Sequence, residues 1–297
     1  MRDGLEHAVS GGKRLRTLLC LRTCNALNGD QMEAEVFAQA VESLHNATLV
    51  HDDIQDGDEF RRGKPSIWKQ YGKPQAIGIG EALFAEGYRH ILDHRDRFGT
   101  LKCLRLLEIY NEAQRTVIDG QAMDISFRNR MTVSEEEYMQ MARKKTGALL
   151  TASLTGAAVI AQSDSDVVER LEQAGRFIGP AFQIRDDVID IKENDSGRRG
   201  NDIREGKRSL IVVHAFQRLS KADKQALGDI LDMPRDATTD AQVDRGIELM
   251  EQASAVEEAQ KTAERLIDDA REHLRDVSAD GFKEVCDVVD FLVERTF

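Results

Sequence analysis

The sequence predicts an all-α protein with a single domain spanning residues 1–297, and three features support this fold class. The chain has only 4 prolines among 297 residues, and proline is the residue that interrupts helices most strongly. Apolar residues recur at three- and four-residue spacing over long segments, as on the buried face of a helix. No convincing alternating strand pattern exceeds a few residues, and the best candidate, IVVHAF after Ser209-Leu210, lies between helical patterns.

The predicted helices cover most of the chain in order. They run from Glu33 to about Asp53, from about Leu101 to Arg128, from Lys145 to Gln162, from Ser165 to Asp190, from Val243 to His273 and from Asp280 to Glu294. Pro180 predicts a kink in the fourth of them. The third is rich in Ala, Leu, Thr and Gly, which indicates close packing on several sides. Loops are expected at Gly57–Pro74 and Glu193–Arg208, each directly after a cluster of aspartates.

Composition and charge exclude several classes of protein. The formal net charge is -12, which argues against a general nucleic-acid binder. No apolar run is long enough to cross a bilayer, and the N-terminal segment lacks the apolar core of a signal peptide. The 4 cysteines form no CxxC pair, so free thiols in a reducing compartment are expected. We therefore expect a cytoplasmic protein without a transmembrane segment.

Two clusters of aspartates carry the strongest functional signal. The segments Asp52–Asp56 and Asp186–Asp190 both read DDxxD, and both end an apolar helix pattern. Residues four apart share a helix face, so the first and last carboxylates of each cluster repel each other unless a cation lies between them. Oxygen ligands of this kind suit Mg²⁺, which accepts substrate phosphates as further ligands. Acidic groups at a helix C-terminus also oppose the helix dipole, so ordinary stabilisation does not explain the two clusters.

Basic residues accompany both clusters. They are Lys13, Arg14 and Arg16 near the N-terminus, Arg61, Arg62 and Lys64, then Lys144 and Lys145, and finally Arg198, Arg199, Arg204 and Lys207. Each pair alone is typical of a solvated surface. In an acidic protein, cations beside paired aspartates indicate a polyanionic ligand held partly by Arg and Lys and partly through metal. A diphosphate fits both kinds of group.

The ordered set of motifs resembles the trans-isoprenyl diphosphate synthases of the polyprenyl synthetase family, which include farnesyl and geranylgeranyl diphosphate synthases. The resemblance covers the chain from about Leu5 to Arg295. Its motifs are GGKRLR at Gly11–Arg16, HDDIQD followed by RRG at His51–Gly63, GQxxD at Gly120–Asp124, KT at Lys145–Thr146 and FQIRDDVID at Phe182–Asp190. One DDxxD alone is a weak signal, whereas this ordered set is specific.

The resemblance implies an isoprenoid-synthase-type helical bundle around a deep central cavity, usually as a homodimer, and it implies roles for individual residues. The implied ligands of Mg²⁺, of which three ions are expected with the substrate diphosphate, are Asp52, Asp56 and Asp186, followed by Asp53 and Asp190. The implied isopentenyl diphosphate site is Lys13, Arg16, His45 and Arg62, although His45 alone is also compatible with a core histidine. The implied allylic diphosphate site is Arg61, Lys145, Thr146, Gln183 and Lys207. The implied catalytic residues are Asp52, Asp56, Arg61, Lys145 and Asp186.

The implied reaction is a head-to-tail condensation of isopentenyl diphosphate with an allylic diphosphate. Metal and cations neutralise the departing diphosphate, the isopentenyl double bond attacks the allylic carbocation, and loss of a proton gives an all-trans prenyl diphosphate. In the family, side chains before the first aspartate motif form the floor of the cavity. Ala47 and Thr48 are not aromatic here, and Leu44 and Val41 follow further down. A product of C20 or longer is therefore expected rather than farnesyl diphosphate.

The sequence departs from the family pattern in three places. Only a short segment precedes GGKRLR, so the usual N-terminal helix is expected to be missing or shortened. In Ser196–Asp202 the lysine of the family's GKxxGxD is replaced by Gly197, with Arg198 beside it. Glu81 stands where the family commonly has Asp. None of these changes removes a metal ligand, so activity is still expected.

Three alternatives stay open. A class I terpene cyclase usually carries an NSE-type second motif and does not need the set Lys13, Arg16 and His45. A non-catalytic, partner-dependent subunit of a heteromeric synthase commonly loses motif aspartates, and this chain keeps all six. A structural helical protein with metal-stabilised ends does not predict basic motifs in this order.

Overall fold

The regular structure is helical apart from one short hairpin. The structure is a computed structural model, and it describes residues 1–128, 130–192, 199–275, 277 and 282–294. In chain order the helices are α1 (Arg2–Ala8), α2 (Leu15–Ala26), α3 (Gln31–Asp56), α4 (Ile67–Tyr71), α5 (Lys73–Asp93), α6 (Arg95–Phe98), α7 (Thr100–Phe127), α8 (Glu135–Ala142), α9 (Ala148–Ile160), α10 (Ser165–Lys192), α11 (Asn201–Arg204), α12 (Leu210–Arg218), α13 (Lys221–Leu231), α14 (Asp240–Gln252), α15 (Ala255–Arg275) and α16 (Lys283–Glu294). A π-helical turn, Arg143–Gly147, joins α8 to α9, a 3₁₀ turn spans Arg235–Ala237, and the antiparallel strands β1 (Phe60–Arg61) and β2 (Lys64–Pro65) form the hairpin. The all-α prediction is confirmed.

The chain forms two compact units, each assembled from separate stretches of sequence. The first comprises Met1–Gln114, Leu149–Glu172 and Leu274–Val288, and the second comprises Arg115–Ala148, Gln173–His273 and Val289–Phe297. Helices α7 and α10 each contribute residues to both units. A single domain over residues 1–297 therefore remains our expectation.

Helix α3 organises the first unit. It begins where the Asp30 carboxylate accepts hydrogen bonds from the N–H groups of Met32 and Glu33, at 2.9 and 3.1 Å, a favourable N-cap. It ends at Gly57, whose φ of 74° lies in the left-handed region that glycine adopts without strain. Between these ends α3 packs mainly on α5 and α2. One buried apolar cluster of this unit comprises Ala47, Val50, Ile67, Ala76, Ile79 and Leu83.

The small-residue helix α9 packs as closely as its composition predicts. Its residues Leu149, Leu150, Ala152 and Leu154 are between 0 and 3% exposed, although they lie on different sides of the helix. The preceding π turn contacts two glycines of the second unit. A Cβ atom on Gly120 would lie 2.2 Å from the backbone nitrogen of Lys145, and one on Gly179 would lie 2.3 Å from the Cα atom of Gly147. The glycines therefore permit a backbone approach that no other residue allows.

Several element boundaries differ from the sequence-based expectation. The single helix predicted from Val243 to His273 is wrong: α14 and α15 are separate helices, and Ser254 between them has a left-handed φ of 50°. The segment Gly57–Pro74 contains the hairpin and α4 instead of being wholly a loop. The IVVHAF segment lies in α12, as its helical context indicated. Helix α10 continues through Pro180.

The helices and the cysteines bear on the expected absence of a membrane span and on the expected free thiols. Among the helices of this part of the chain, none combines the length and the apolar composition that a membrane crossing requires. The four cysteines, Cys20, Cys24, Cys103 and Cys286, are free thiols, and the first three are buried.

Candidate active site

The candidate residues form two groups, one in each unit. The first unit contains the segment Asp52–Asp56 with Lys13, Arg16, His45, Arg61 and Arg62, and the second contains Lys145, Thr146, Gln183, Asp186, Asp190 and Lys207. Of the positions that depart from the family pattern, Gly197 and Arg198 lie outside the described residues.

The C-terminal part of α3 carries a half-buried face with two aspartates. The helix runs through the whole first motif, so Asp52 and Asp56 lie one turn apart on the same face. Both are partly exposed. His45 and Thr48, seven and four positions before Asp52, are half-buried on the same face. Asp53, one position further round the helix, is only 2% exposed.

The buried Asp53 holds a cation of the hairpin. The Arg61 Nε–H donates to Asp53 Oδ1 at 2.5 Å, and Arg61 Nη2 lies 3.5 Å from Asp58 Oδ2. Burial raises the pKa of Asp53 to about 6, although Arg61 acts in the opposite direction. The middle aspartate of the first motif is thus engaged with a guanidinium, while its two neighbours on the partly exposed face are the ones placed for a ligand.

Gly12 and Arg62 bring the N-terminal basic motif next to the hairpin. The guanidinium of Arg62 lies over the backbone of Gly12, where an added Cβ atom would be 2.7 Å from Nη2. Gly12 also has a φ of 89°, which favours glycine. Arg62 Nη1 donates to the carbonyl oxygen of Ser10 at 3.4 Å, and Lys64 Nζ donates to Ser10 Oγ at the same distance. These contacts gather cations of two distant sequence motifs within the first unit.

His45 is paired with Arg16 rather than enclosed by apolar side chains alone. Arg16 Nη1 and His45 Nε2 are 3.1 Å apart. A guanidinium can only donate, so His45 Nε2 accepts and the neutral ring carries its proton on Nδ1. Burial and the charges of Arg16, Arg62 and Arg61 lower the pKa of His45 well below its usual range. His45 is therefore a neutral acceptor that orients Arg16. Lys13, nearby in sequence, is exposed.

In the second motif the middle aspartate is again buried. Asp187 is 4% exposed and accepts two hydrogen bonds, from the Tyr138 hydroxyl at 2.7 Å and from Gln183 Nε2 at 2.9 Å. Burial and the neighbouring Asp202 raise its pKa, and these two donors oppose the shift. Asp186, the first aspartate of the motif, is half-buried.

Asp190 caps the start of α11. Its two carboxylate oxygens accept hydrogen bonds from the backbone N–H groups of Asn201 and Asp202, at 3.2 and 3.0 Å. Burial and the charge of Asp202 raise its pKa. Lys207 Nζ lies 2.7 Å from Asp202 Oδ1 and 2.8 Å from Glu205 Oε2. The second motif is therefore surrounded by carboxylates that this lysine partly neutralises.

The π turn directs its two polar residues to different helices. Lys145 Nζ forms a short ion pair with Asp124 of α7, and the Thr146 hydroxyl donates to Gln183 Oε1 of α10 at 2.5 Å. Burial acts to raise the pKa of Asp124, but Lys145 and Lys207 outweigh it and the pKa is lowered. Asp124 is accordingly a stable anion that holds Lys145 in place.

The donor set fits Mg²⁺ bound together with a substrate. In the described parts of the chain, no group of three or more His, Cys, Asp or Glu side chains is arranged to hold a metal ion. Mg²⁺ rarely needs such a cage, because it retains waters and is completed by substrate phosphates beside one or two carboxylates. The pair Asp52 and Asp56 offers oxygen ligands of that kind.

The candidate chain-length residues do not all share the face of the aspartates. Thr48 lies on that face, and its hydroxyl donates to the His45 carbonyl oxygen at 2.7 Å. Ala47 is fully buried and belongs to the apolar cluster with Ile79 and Leu83 of α5. Leu44 and Val41 are fully buried as well.

Two residues of the second unit contribute to the site without having been predicted. Asp124 belongs to a recognised motif, but the sequence assigned it no role, and its pairing with Lys145 depends on the helix packing. Tyr138 belongs to no motif. Tyr138 lies seven residues before Lys145, and this spacing gives no signal because Lys145 is within the π turn, where the α-helical period is interrupted.

The chain is similar in sequence to proteins of a known family. The polyprenyl synthetase family matches residues 1–250. The chain is 36% identical to a short chain isoprenyl diphosphate synthase of Methanothermobacter thermautotrophicus over 302 aligned positions, covering 98% of this chain and 89% of that protein.

Solved structures of similar proteins have the same fold. The crystal structure of a geranylgeranyl pyrophosphate synthetase from Pyrococcus horikoshii superposes with a TM-score of 0.89 at 35% identity, over 99% of this chain and 90% of that one. A polyprenyl synthase from Caulobacter crescentus, complexed with calcium and isoprenyl diphosphate, superposes with a TM-score of 0.89 at 29% identity, over 99% and 88% of the two chains. The chain therefore belongs to the polyprenyl synthetase family, and it is a prenyltransferase.

Proposed function

We propose that this prenyltransferase condenses isopentenyl diphosphate head to tail with an allylic diphosphate, in a Mg²⁺-dependent reaction whose all-trans product is C20 or longer. The observation that carries the proposal is the half-buried pair Asp52 and Asp56, on the same helix as the buried Asp53 that holds the guanidinium of Arg61. Carboxylates and cations together suit a metal-bound diphosphate. The name of the P. horikoshii relative supports a C20 product.

Asp52, Asp56 and Asp186 are the proposed ligands of up to three Mg²⁺ ions. Like Asp190 they are partly exposed, whereas Asp53 and Asp187 are buried. Asp53 and Asp190, the secondary candidates, already accept hydrogen bonds from protein donors. We expect them to reach a metal only when those contacts are exchanged. The calcium-bound C. crescentus relative supports a divalent metal in this family.

Two sets of residues bind the two substrates in this proposal. Arg61, Lys145, Thr146, Gln183 and Lys207 hold the allylic diphosphate, whereas Lys13, Arg16, His45 and Arg62 hold isopentenyl diphosphate. The contact between Gly12 and Arg62 supports the second set, because it joins both basic motifs in one cluster. The hydrogen bond between Thr146 and Gln183 supports the first.

The chemistry requires charge neutralisation and the exclusion of water. The allylic C–O bond breaks, and the diphosphate leaves with the electron pair while Arg61 and Lys145 stabilise its charge. The isopentenyl double bond forms the new C–C bond with the allylic carbon. The condensed carbocation then loses a proton, which passes to the released diphosphate. Mg²⁺, when bound, would neutralise further charge on the leaving group. Apolar walls must exclude water, because water would quench the cation.

A homodimer is the proposed assembly. Helix α7 exposes two large apolar side chains in the first unit, Leu101 at 84% and Leu104 at 54%. Residues three apart share a helix face, and this face is the proposed subunit contact. Sedimentation velocity at several protein concentrations tests this assembly. A monomer at every concentration would contradict it.

Product analysis tests the proposed reaction. The purified chain is incubated with labelled isopentenyl diphosphate, Mg²⁺ and a C5, C10 or C15 allylic diphosphate, and the products are identified by mass. We expect elongated linear diphosphates of C20 or longer, and none after chelation of the metal. A cyclised hydrocarbon formed without isopentenyl diphosphate would indicate a terpene cyclase. Turnover only after addition of a partner chain would indicate a subunit of a heteromeric synthase.

A further inference from the structure

A fully enclosed tyrosine begins a hydrogen-bonded chain that ends at the proposed diphosphate site. Tyr138, on α8, is 1% exposed. Its hydroxyl donates to Asp187 Oδ2 at 2.7 Å, and Gln183 Nε2 donates to the other carboxylate oxygen at 2.9 Å. Gln183 Oε1 in turn accepts from the Thr146 hydroxyl at 2.5 Å. The chain links α8, α10 and the π turn within the second unit.

The Asp187 carboxylate sets the direction of every hydrogen bond in this series. Asp187, with a donor on each oxygen, acts as an acceptor, so the Gln183 amide must present nitrogen to it and oxygen to Thr146. The Gln183 amide has a second N–H that the chain does not use. A half-buried amide held in this orientation can donate to an anion, whereas the flipped amide would present its oxygen and repel one.

We propose that Tyr138 is a positioning residue for the allylic diphosphate, acting through Asp187 on the orientation of Gln183 and Thr146. The inference rests on the proposed function, because it takes Gln183 and Thr146 as diphosphate ligands. Tyr138 itself touches no substrate. When the Tyr138 hydroxyl is removed, one oxygen of the buried Asp187 loses its donor. The carboxylate must then accept a hydrogen bond from a different partner. The amide of Gln183 then loses its fixed orientation.

A matched pair of Tyr→Phe variants tests this role. Tyr138→Phe removes only the hydroxyl. Tyr110→Phe is the control, because Tyr110 is also fully buried, in the first unit, and its hydroxyl donates to the Phe84 carbonyl oxygen at 3.0 Å. We expect Tyr138→Phe to raise the KM for a C15 allylic diphosphate about 3–10-fold, the range of one lost hydrogen bond. The KM for isopentenyl diphosphate stays within about twofold, and Tyr110→Phe changes neither constant by more than that.

A double-mutant cycle shows whether Tyr138 acts through Gln183. In the Gln183→Ala background, the additional effect of Tyr138→Phe on the allylic KM should disappear, because the group being oriented is gone. An unchanged allylic KM in Tyr138→Phe would overturn the proposal. Additive effects in the double variant would also overturn it, because Tyr138 would then act independently of Gln183.

A binding measurement separates this inference from the proposed reaction. Inorganic diphosphate is titrated calorimetrically into the wild type and both Tyr→Phe variants in the presence of Mg²⁺. Weaker binding by Tyr138→Phe alone supports the positioning role even if the wild type elongates no primer, in which case only the proposed function fails. Equal affinity in all three proteins overturns the positioning role, whatever the turnover.

Discussion

Arg61 donates a hydrogen bond to Asp53 at 2.5 Å, so the middle aspartate of the first motif holds a cation of the following hairpin. The carboxylate is 2% exposed and the guanidinium belongs to the strand that follows the helix. The first aspartate motif and the hairpin are therefore linked: Asp53 positions Arg61, while Asp52 and Asp56 remain on the partly exposed face.

Asp53→Asn is expected to weaken allylic substrate binding without a large loss of stability. The amide keeps an acceptor for Arg61 but loses the charge, so the allylic KM should rise about tenfold, as for one charge-assisted hydrogen bond. The free energy of unfolding should change by less than about 1 kcal/mol, because the variant also avoids burying a charge. The Mg²⁺ concentration for half-maximal rate should stay unchanged. A large increase in that concentration would instead make Asp53 a metal ligand. Asp58→Asn, 3.5 Å from Arg61, is the control and should have a smaller effect.

Gly12→Ala is expected to raise the KM for isopentenyl diphosphate. The new Cβ atom would lie 2.7 Å from the Arg62 guanidinium and displace it. Gly99→Ala provides a matched control: Gly99 has a φ of 73°, and nothing lies within 4 Å of an added Cβ atom. Both variants should lose about 1–3 kcal/mol of stability, because both positions have a positive φ that a residue with a Cβ atom adopts only with strain. Only Gly12→Ala should change the KM, and an equal effect of the two variants would contradict the placement of Arg62.

Thr48→Phe is expected to shorten the product more cleanly than Ala47→Phe. Thr48 shares the half-buried face of Asp52, so a phenyl ring there would obstruct a growing chain on that face. Ala47 is fully buried against α5, so a phenyl ring there overpacks the core by about 1–3 kcal/mol. Product masses and thermal unfolding of both variants test this difference. If the Thr48→Phe variant makes a product as long as that of the wild type, Thr48 does not form part of the cavity floor.

His45 is expected to make the stability of the fold depend on pH below neutrality. Its pKa is lowered well below 6.5 in the folded state, so the unfolded state binds the extra proton first as the pH falls. The contribution of His45 to stability is therefore complete above about pH 7 and is lost as the pH drops, by at most about 1.4 kcal/mol per pH unit.

His45→Gln isolates this effect, because glutamine still accepts from Arg16 and does not titrate. Urea unfolding at pH 7, 6 and 5 should show a steeper loss of stability in the wild type than in the variant. His94→Gln, at an exposed position, should follow the wild type. Parallel curves for wild type and His45→Gln would show that the pKa of His45 is not lowered in the folded state.

The long helices could be predicted because their apolar period extends over many turns. The helix Gln31–Asp56 and the helix Ser165–Lys192 both agree with their predicted spans to within three residues. The break at Ser254 could not be predicted in the same way, since a single left-handed residue leaves the apolar period on both sides intact. The two-residue strands of the hairpin are likewise too short to produce an alternating pattern.

The site residues could be predicted only as far as helix periodicity reaches. Spacing placed Asp52 and Asp56 on one face, and the helix through them agrees. Spacing could not reveal that Asp53 accepts from Arg61 or that Asp187 accepts from Tyr138, because those partners are set by packing between segments distant in sequence. The buried partners of a motif depend on the fold, whereas the residues that share its partly exposed face follow from the helix alone.

The π turn at Arg143–Gly147 makes segment length as important as residue identity. Lys145 and Thr146 are adjacent in sequence, yet they contact Asp124 and Gln183 on two different helices. Deleting one residue from the turn would restore a continuous α-helix and rotate the two side chains by about 100° relative to the helix that follows. A chimera with a shortened turn would therefore retain every letter of its motifs and still lose both contacts.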